Sequence, residues 1–387
     1  MKTYFIRSFG CKVNQYETQL ISDKFKENNM LQVLKPEEAD IIVFNSCTVT
    51  AEADKECEYF LRRMVKLPDK KILLTGCFAI NKTAHLKEKY PQVQIITKKD
   101  ELFSNPQKQI IKSFDGRSRA FVKIQDGCNS FCSYCIVPYI RGKLWSKPLA
   151  AVLEEIENLI DNAYHEIVLT GIHIGKYDGG VSNLINEIIK IPAEFRIRIS
   201  SMELNEIDDL LIELMKKNPN KICRHLHIPL QSGSDEILKK MNRSYCLEEF
   251  EKKISKIMLS LPDIALTSDI ITGFPGETQE HHLQTCTFIE RNYFARLHIF
   301  RYSDREGTKA SKFGNKVFPE EIKKRSDDLF EIDRQKRLEF LNKNLGKTRK
   351  AVSIGKNKAL TDNYISVKID KKKDGIFEVI ISQNDEI

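Results

Sequence analysis

Apolar residues along residues 1–112 gather in short β-rich runs separated by stretches of helical periodicity. Tyr4–Ser8, Ile41–Phe44 and Ile72–Leu74 read as strands ending in turn-like residues, with helical patterns at about Asn14–Lys26 and Ala51–Val65. Such strand–helix alternation predicts a parallel sheet joined by right-handed crossovers. The polar stretch Lys112-Ser113-Phe114-Asp115-Gly116-Arg117-Ser118 reads as a linker.

Beyond it, strand-like runs resume at Phe121–Gln125, Glu166–Thr170, Phe195–Ser200, His225–Pro229, Ile264–Ile271 and Arg296–Tyr302. Helical patterns lie between them, among them Leu149–Ile160, Asp235–Lys240 and Glu277–Arg291. Six βα units predict a closed or partly closed (βα) barrel, whose chemistry sits at the C-terminal ends of its strands. A charged helix from Pro319 to about Asn344 follows, and then Asn363–Ile369 and Gly375–Ile381 alternate as strands do. The expected α/β chain has three parts: a parallel αβ domain over 1–112, a barrel with its trailing helix over 113–344, and a short β segment over 345–387.

Composition narrows the class. Of 387 residues, 41% are hydrophobic and 30% charged, which excludes global disorder. No stretch approaches the ~18 uncharged apolar residues of a membrane span. Met1-Lys2-Thr3-Tyr4-Phe5-Ile6-Arg7 runs straight into strand-like sequence and lacks the form of a signal peptide, so a cytoplasmic protein is expected. The net charge of +8 is compatible with a polyanionic partner without singling one out.

Ten cysteines change the picture most, because in a reducing compartment a clustered subset points to metal or catalysis rather than disulfides. Cys128-Asn129-Ser130-Phe131-Cys132-Ser133-Tyr134-Cys135 is a C-x3-C-x2-C loop just after the first barrel strand. Three thiolates in one short loop can grip three irons of a 4Fe–4S cluster and leave the fourth open to a cofactor. A structural zinc would need a fourth ligand, and no His or Cys follows nearby. Cys11, Cys47 and Cys77 each lie just beyond a predicted strand. Parallel strands would bring all three to one sheet edge, where a second cluster is one reading and small strand-end residues the other. Cys57 falls on one helical face with Ala53, Phe60, Leu61 and Met64 and reads as core, as the isolated Cys223, Cys246 and Cys286 do.

Glycine-bearing loops follow three barrel strands: Gly171-Ile172-His173, Gln231-Ser232-Gly233 and the run Thr272-Gly273-Phe274-Pro275-Gly276. Glycine lets backbone approach a ligand closely, which makes these loops candidates for holding a cofactor. His173, His225 and His227 could serve as ligands or bases, although buried hydrogen-bonded histidines are commoner.

These motifs resemble the radical S-adenosylmethionine superfamily and, within it, the methylthiotransferases. The run from Val122 through Cys128, Cys132 and Cys135 to Gly142 is similar to that family's signature throughout, and Ile228–Ser234 and Asp269–Glu277 also correspond. The resemblance implies a 4Fe–4S cluster on Cys128, Cys132 and Cys135 and an auxiliary one on Cys11, Cys47 and Cys77. With that resemblance, the glycine-bearing loops are where S-adenosylmethionine is expected to bind, near Gly171, Ile172, His173, Gln231, Ser232, Gly233, Asp269 and Gly273. No catalytic side chain is assigned beyond the clusters.

Gly10–Thr18 and Asn45–Thr50 look like the branch acting on threonylcarbamoyladenosine in tRNA, more than the isopentenyladenosine or ribosomal-protein branches. The implied partners are tRNA and a flavodoxin- or ferredoxin-type electron donor, with no membrane and a monomeric enzyme. Family members usually end in a longer RNA-binding β-barrel, the TRAM domain, so Gly346 to Ile387 is expected to form only part of one. A two-cluster electron carrier and a zinc-dependent RNA-binding module are the rivals of another class. Their metals are normally fully ligated by protein, whereas each site here counts three thiols.

Overall fold

The structure is a computed structural model that describes residues 1–98, 109–115 and 117–387. In the N-terminal part, β1 (Thr3–Ser8), α1 (Lys12–Glu27), β2 (Leu31–Gln32), β3 (Ile41–Ser46) and α2 (Ala51–Met64) follow in order. Then come β4 (Lys71–Gly76), α3 (Cys77–Asn81), α4 (Thr83–Lys89) and β5 (Val93–Ile95). The five strands pair in parallel in the order β2-β1-β3-β4-β5. The order reverses between β1 and β3, and open α/β sheets bind ligands in the crevice at such a switch point. Thr50 caps α2 by accepting from the Ala53 amide, and Cys57, Phe60, Leu61 and Met64 bury the helix's apolar face. Burial of each large apolar side chain contributes about 1.5–3 kcal/mol.

The segment read as a linker is tied down. Phe114 is buried with its ring 5.0 Å from Phe121, and Asp115 pairs with Lys26 of α1 at 2.5 Å. Its polar composition concealed one apolar anchor and one ion pair. Gly116 of that stretch, like 99–108 of the N-terminal part, lies outside the described residues.

The central part contains β6 (Ala120–Lys123), β7 (Gln125–Asp126), α5 (Val137–Arg141), β8 (Trp145–Ser146), α6 (Leu149–Asp161) and β9 (Glu166–Thr170). It continues with α7 (Val181–Ile188), β10 (Arg196–Ile199), α8 (Asp209–Lys217), β11 (His225–His227), α9 (Asp235–Lys240) and α10 (Leu247–Ser260). Finally come β12 (Ala265–Thr272), α11 (Gln279–Arg291), β13 (Arg296–Arg301) and the 26-residue α12 (Pro319–Asn344). Two parallel sheets, β10-β9-β6 and β11-β12-β13, meet at a bridge between Ile197 and Ile222. The barrel is therefore partial. Its β6 edge lies against α1, and one continuous core joins Tyr16, Leu20, Ile21, Val43 and Leu73 to barrel residues such as Val122, Leu169 and Ile197.

The C-terminal part is a four-stranded antiparallel sheet in the order β16-β15-β14-β17, from β14 (Thr348–Ser353), β15 (Lys358–Thr361), β16 (Ser366–Lys368) and β17 (Phe377–Ile380). The strand read over Asn363–Ile369 starts later, because Asn363 and Tyr364 (φ 72°) form the turn after β15. Arg196 and Arg198 donate to the carbonyls of Lys350, Leu360, Thr361 and Asp362, fastening this sheet to β10.

Candidate active site

Two glycines bring the N-terminal thiols together. Gly10, at φ +85°, packs so closely that a Cβ there would lie 2.5 Å from Cys47 Sγ. Gly76, at φ +92°, meets the same loop, and a Cβ would stand 2.4 Å from the Ser46 carbonyl oxygen. Each precedes a cysteine, so the Cys11 and Cys77 loops both close on Cys47. Cys11 is exposed at the start of α1, whereas Cys47 and Cys77 are buried. Burial, then repulsion from Cys77 and Cys11, pushes the Cys47 thiol up to about 11. Burial also raises Cys77, against the pull of the nearby Arg141 guanidinium.

The second set of thiols lies between β7 and α5. Cys128 Sγ is 3.5 Å from His173 Nδ1, and Cys132 Sγ accepts a hydrogen bond from Arg243 at 3.4 Å. Burial raises Cys132 and carries Cys135 to about 12. Although burial opposes ionisation of Cys128, hydrogen bonds from His173 and Ser130 hold its thiol below the usual value. His173 is itself braced, with Nε2 2.6 Å from Glu206 Oε1.

Among the described residues, no set of three His, Cys, Asp or Glu side chains closes on a single metal ion. All ten cysteines are free thiols, so both donor sets are available.

A buried ionic network joins the two sets. Arg141, ending α5, bonds Asn14 and pairs with Glu17 at 3.0 Å and Asp126 at 3.2 Å, while Lys123 reaches Glu17 at 2.9 Å. Burial alone would disfavour the charge on Arg141; Cys77, Glu17, Asp126 and Cys11 together keep it protonated.

A third feature lies inside the partial barrel. A cavity of about 230 Å³ is lined by Lys12, Arg119, Arg198, His225, His227, Asp269, His298 and Tyr364, among others, drawing on all three parts of the chain. His227 Nε2 pairs with Asp269 at 3.1 Å, and Tyr364 stacks on His225 at 4.2 Å. The cavity is open enough to leave Lys12 exposed. Its walls nevertheless desolvate the ammonium and lower its pKa, and Arg119 and Arg198 push the same way.

Residues 122–289 match the radical SAM superfamily, and residues 3–98 match an uncharacterized protein family, UPF0004. A Thermotoga maritima threonylcarbamoyladenosine tRNA methylthiotransferase is 35% identical, covering 91% of this chain and 87% of its own. A Bacillus subtilis protein of the same name is 38% identical over 82% of this chain and 77% of its own. The chain belongs to the radical S-adenosylmethionine methylthiotransferases. An Ehrlichia canis tRNA-2-methylthio-N(6)-dimethylallyladenosine synthase is 33% identical over 94% of this chain and 90% of its own. Among solved structures, the radical S-adenosylmethionine methyltransferase TsrM of Kitasatospora setae has a TM-score of 0.59 at 13% identity. That alignment covers 78% of this chain and 75% of TsrM, and the likeness concerns the fold alone.

As a radical S-adenosylmethionine methylthiotransferase, the protein is an enzyme that uses S-adenosylmethionine and a 4Fe–4S cluster. No helix among its described residues is long and apolar enough to cross a membrane. The sequence-expected cofactor residues divide by position. Gly171, Ile172 and His173 follow β9, the His173 amide donating to Gln125 Oε1 at 2.7 Å beside Cys128. Asp269 faces the barrel cavity. Gln231 continues the sheet by bridging Ile270, and Ser232 is buried. Gly233 packs on Thr285 and Gly273 on Ile322, so the close approach each allows is to a helix of the protein itself.

Lys12, Glu17, Arg141, Glu206 and Arg243 escaped the sequence reading. Their one legible signal was the Gly-Cys dipeptide at Gly10, Gly76 and Gly127, each glycine at positive φ.

Proposed function

We propose that the enzyme replaces the C2 hydrogen of N6-threonylcarbamoyladenosine, next to the tRNA anticodon, with a methylthio group, giving 2-methylthio-N6-threonylcarbamoyladenosine. Relatives at 33–38% identity, four of them at 35–38%, bear that activity in their names, against 32–33% for those named for dimethylallyladenosine. The observation that carries the mechanism is the pair of three-thiol sets, one at the switch point of the N-terminal sheet and one on the barrel loop, joined through Arg141.

The C2–H bond is unactivated and gives acid–base chemistry no purchase, so the cofactor must supply the hard step. Cys128, Cys132 and Cys135 would hold the cluster that, with S-adenosylmethionine, would supply the radical chemistry, and Cys11, Cys47 and Cys77 would hold a second that would supply the sulfur. The protein's contribution is placement. His173, held by Glu206, and Arg243, paired with Glu203, donate toward the sulfurs of Cys128 and Cys132 and offset their charge. Arg141 does the same for Cys77 and fixes α1, which begins after Cys11, against the barrel. Gly171 and Ile172, beside Cys128, and Gln231, Ser232 and Asp269 would shape the S-adenosylmethionine site, while Gly233 and Gly273 let α11 and α12 pack close to the loops that carry them.

In this reading 1–112 carries the second cluster, 113–344 the radical chemistry and 345–387 part of the tRNA grip. The enzyme works in the cytoplasm as a monomer with a flavodoxin- or ferredoxin-type reductant. Nucleoside mass spectrometry of tRNA from cells lacking the gene tests the reading. Threonylcarbamoyladenosine should accumulate at the expense of its methylthio form; unchanged methylthio product, with no other enzyme to supply it, rejects the assignment.

A further inference from the structure

The barrel cavity carries more positive charge than its own carboxylates answer. Arg119 and Arg198, which line it, share one partner, Glu166, at 3.1 and 2.9 Å, and Arg196, outside the lining, pairs with the same carboxylate at 2.6 Å. The lining carboxylate Asp269 is taken by His227. Lys12 forms no ion pair and no side-chain hydrogen bond among the described residues, although it lines the same space. It is also the residue after Cys11 and the first of α1, so it stands next to one N-terminal thiol. A cationic cavity with an unpartnered ammonium attracts an anion, and the low-dielectric walls strengthen that attraction.

We propose that Lys12 is a specificity-determining residue that binds the threonyl carboxylate of threonylcarbamoyladenosine inside this cavity. The inference rests on the reading under Proposed function and deepens it. A volume of about 230 Å³ suits one arm of a nucleoside more than a whole one, since whole small-molecule sites run to about 300–1,000 Å³. A neutral, branched alkyl arm on N6 would desolvate Lys12 and leave it unpaired, so the residue that attracts the carboxylate also rejects the apolar analogue. Stacking of Tyr364 on His225 closes one wall of the cavity with the C-terminal sheet. Lys12 thus lines this cavity from the position next to Cys11.

The test uses the full-length reconstituted enzyme and three anticodon stem-loops that differ only at the adenosine. One carries threonylcarbamoyladenosine, one its methyl ester, and one unmodified adenosine. Dissociation constants are measured for the native enzyme, Lys12→Met and Lys12→Arg, with iron content confirming that each variant keeps its clusters. The native enzyme should prefer the free carboxylate over the ester by tenfold or more. Lys12→Met should bind the two alike, and Lys12→Arg should retain most of the preference. A general loss of structure would weaken all three RNAs together and would not erase the acid–ester difference alone.

Full acid-over-ester preference in Lys12→Met overturns the proposal, as does equal weakening of all three RNAs, which would mark Lys12 as a backbone-phosphate contact or a structural residue. Absence of that preference in a native enzyme that still forms the methylthio nucleoside overturns this inference alone. Failure of the native enzyme to form that nucleoside overturns the functional reading, and the inference with it.

Discussion

Arg141 Nη1 lies 3.0 Å from Glu17 Oε1, two residues 124 apart in sequence, and this buried pair ties the helix after the Cys128–Cys135 loop to the helix that starts behind Cys11. The two thiol sets are held in fixed relation by this pair and its neighbours Asp126, Lys123 and Asn14. Removing one partner of a buried ion pair leaves the other uncompensated, at a cost of about 3–5 kcal/mol. Arg141→Met should therefore lower the anaerobic unfolding free energy, by less than that full amount because Lys123 still reaches Glu17 and Asp126. A change below about 0.5 kcal/mol would show that the network does not join the two parts.

The two sets of thiols should be separable. Replacing Cys128, Cys132 and Cys135 with Ala should abolish S-adenosylmethionine cleavage while about half the iron stays. Replacing Cys11, Cys47 and Cys77 should remove the other half and still permit cleavage. Full iron content in the second variant would remove the auxiliary site from the account. Cys57→Ala, buried on α2, should leave iron unchanged and cost about 1 kcal/mol in stability.

Much of this was legible because strand–helix alternation and cysteine placement are local signals. β1, β3 and β4, and the six barrel strands, all appear within a few residues of where apolar runs place them. Leu31–Gln32 and Val93–Ile95 were too short to show a pattern. Thr348–Ser353 begins with the charged pair Arg349-Lys350 and gave no apolar alternation at its start. The cavity was illegible for another reason: Lys12, Arg198, His298 and Tyr364 meet only after three parts of the chain have packed together.

Glu166 should make stability depend on acid. Burial would raise its carboxyl, but Arg198, Arg196 and Arg119 hold it well below the ordinary value of 4.5. A group depressed in the folded state contributes stability above its unfolded pKa and loses it as pH falls through the folded one. Glu166→Gln should therefore destabilise the protein at pH 7, with the difference from native shrinking progressively below pH ~4.5. Urea titrations at neutral and acid pH measure this; a difference independent of pH would contradict it.

The C-terminal sheet should hold tRNA largely by charge. From Leu341 to Ile387 there are ten Lys or Arg against six Asp or Glu, half the whole chain's net +8. Lys371, Lys372 and Lys373 are exposed in the loop between β16 and β17. Reversing all three to Glu should raise the tRNA dissociation constant and flatten its salt dependence, by roughly 0.7–0.9 in log–log slope for each phosphate no longer neutralised. Unchanged affinity and slope would reduce this loop to solvated surface.

The most direct test of the central claim is a single reaction in vitro. Anaerobically reconstituted enzyme, reductant and S-adenosylmethionine are incubated with tRNA carrying threonylcarbamoyladenosine, and the nucleosides are resolved by mass spectrometry. The account expects 2-methylthio-N6-threonylcarbamoyladenosine, formed only when both thiol sets are intact. Methylthiolation of isopentenyladenosine tRNA with none on the threonylcarbamoyl substrate would contradict it.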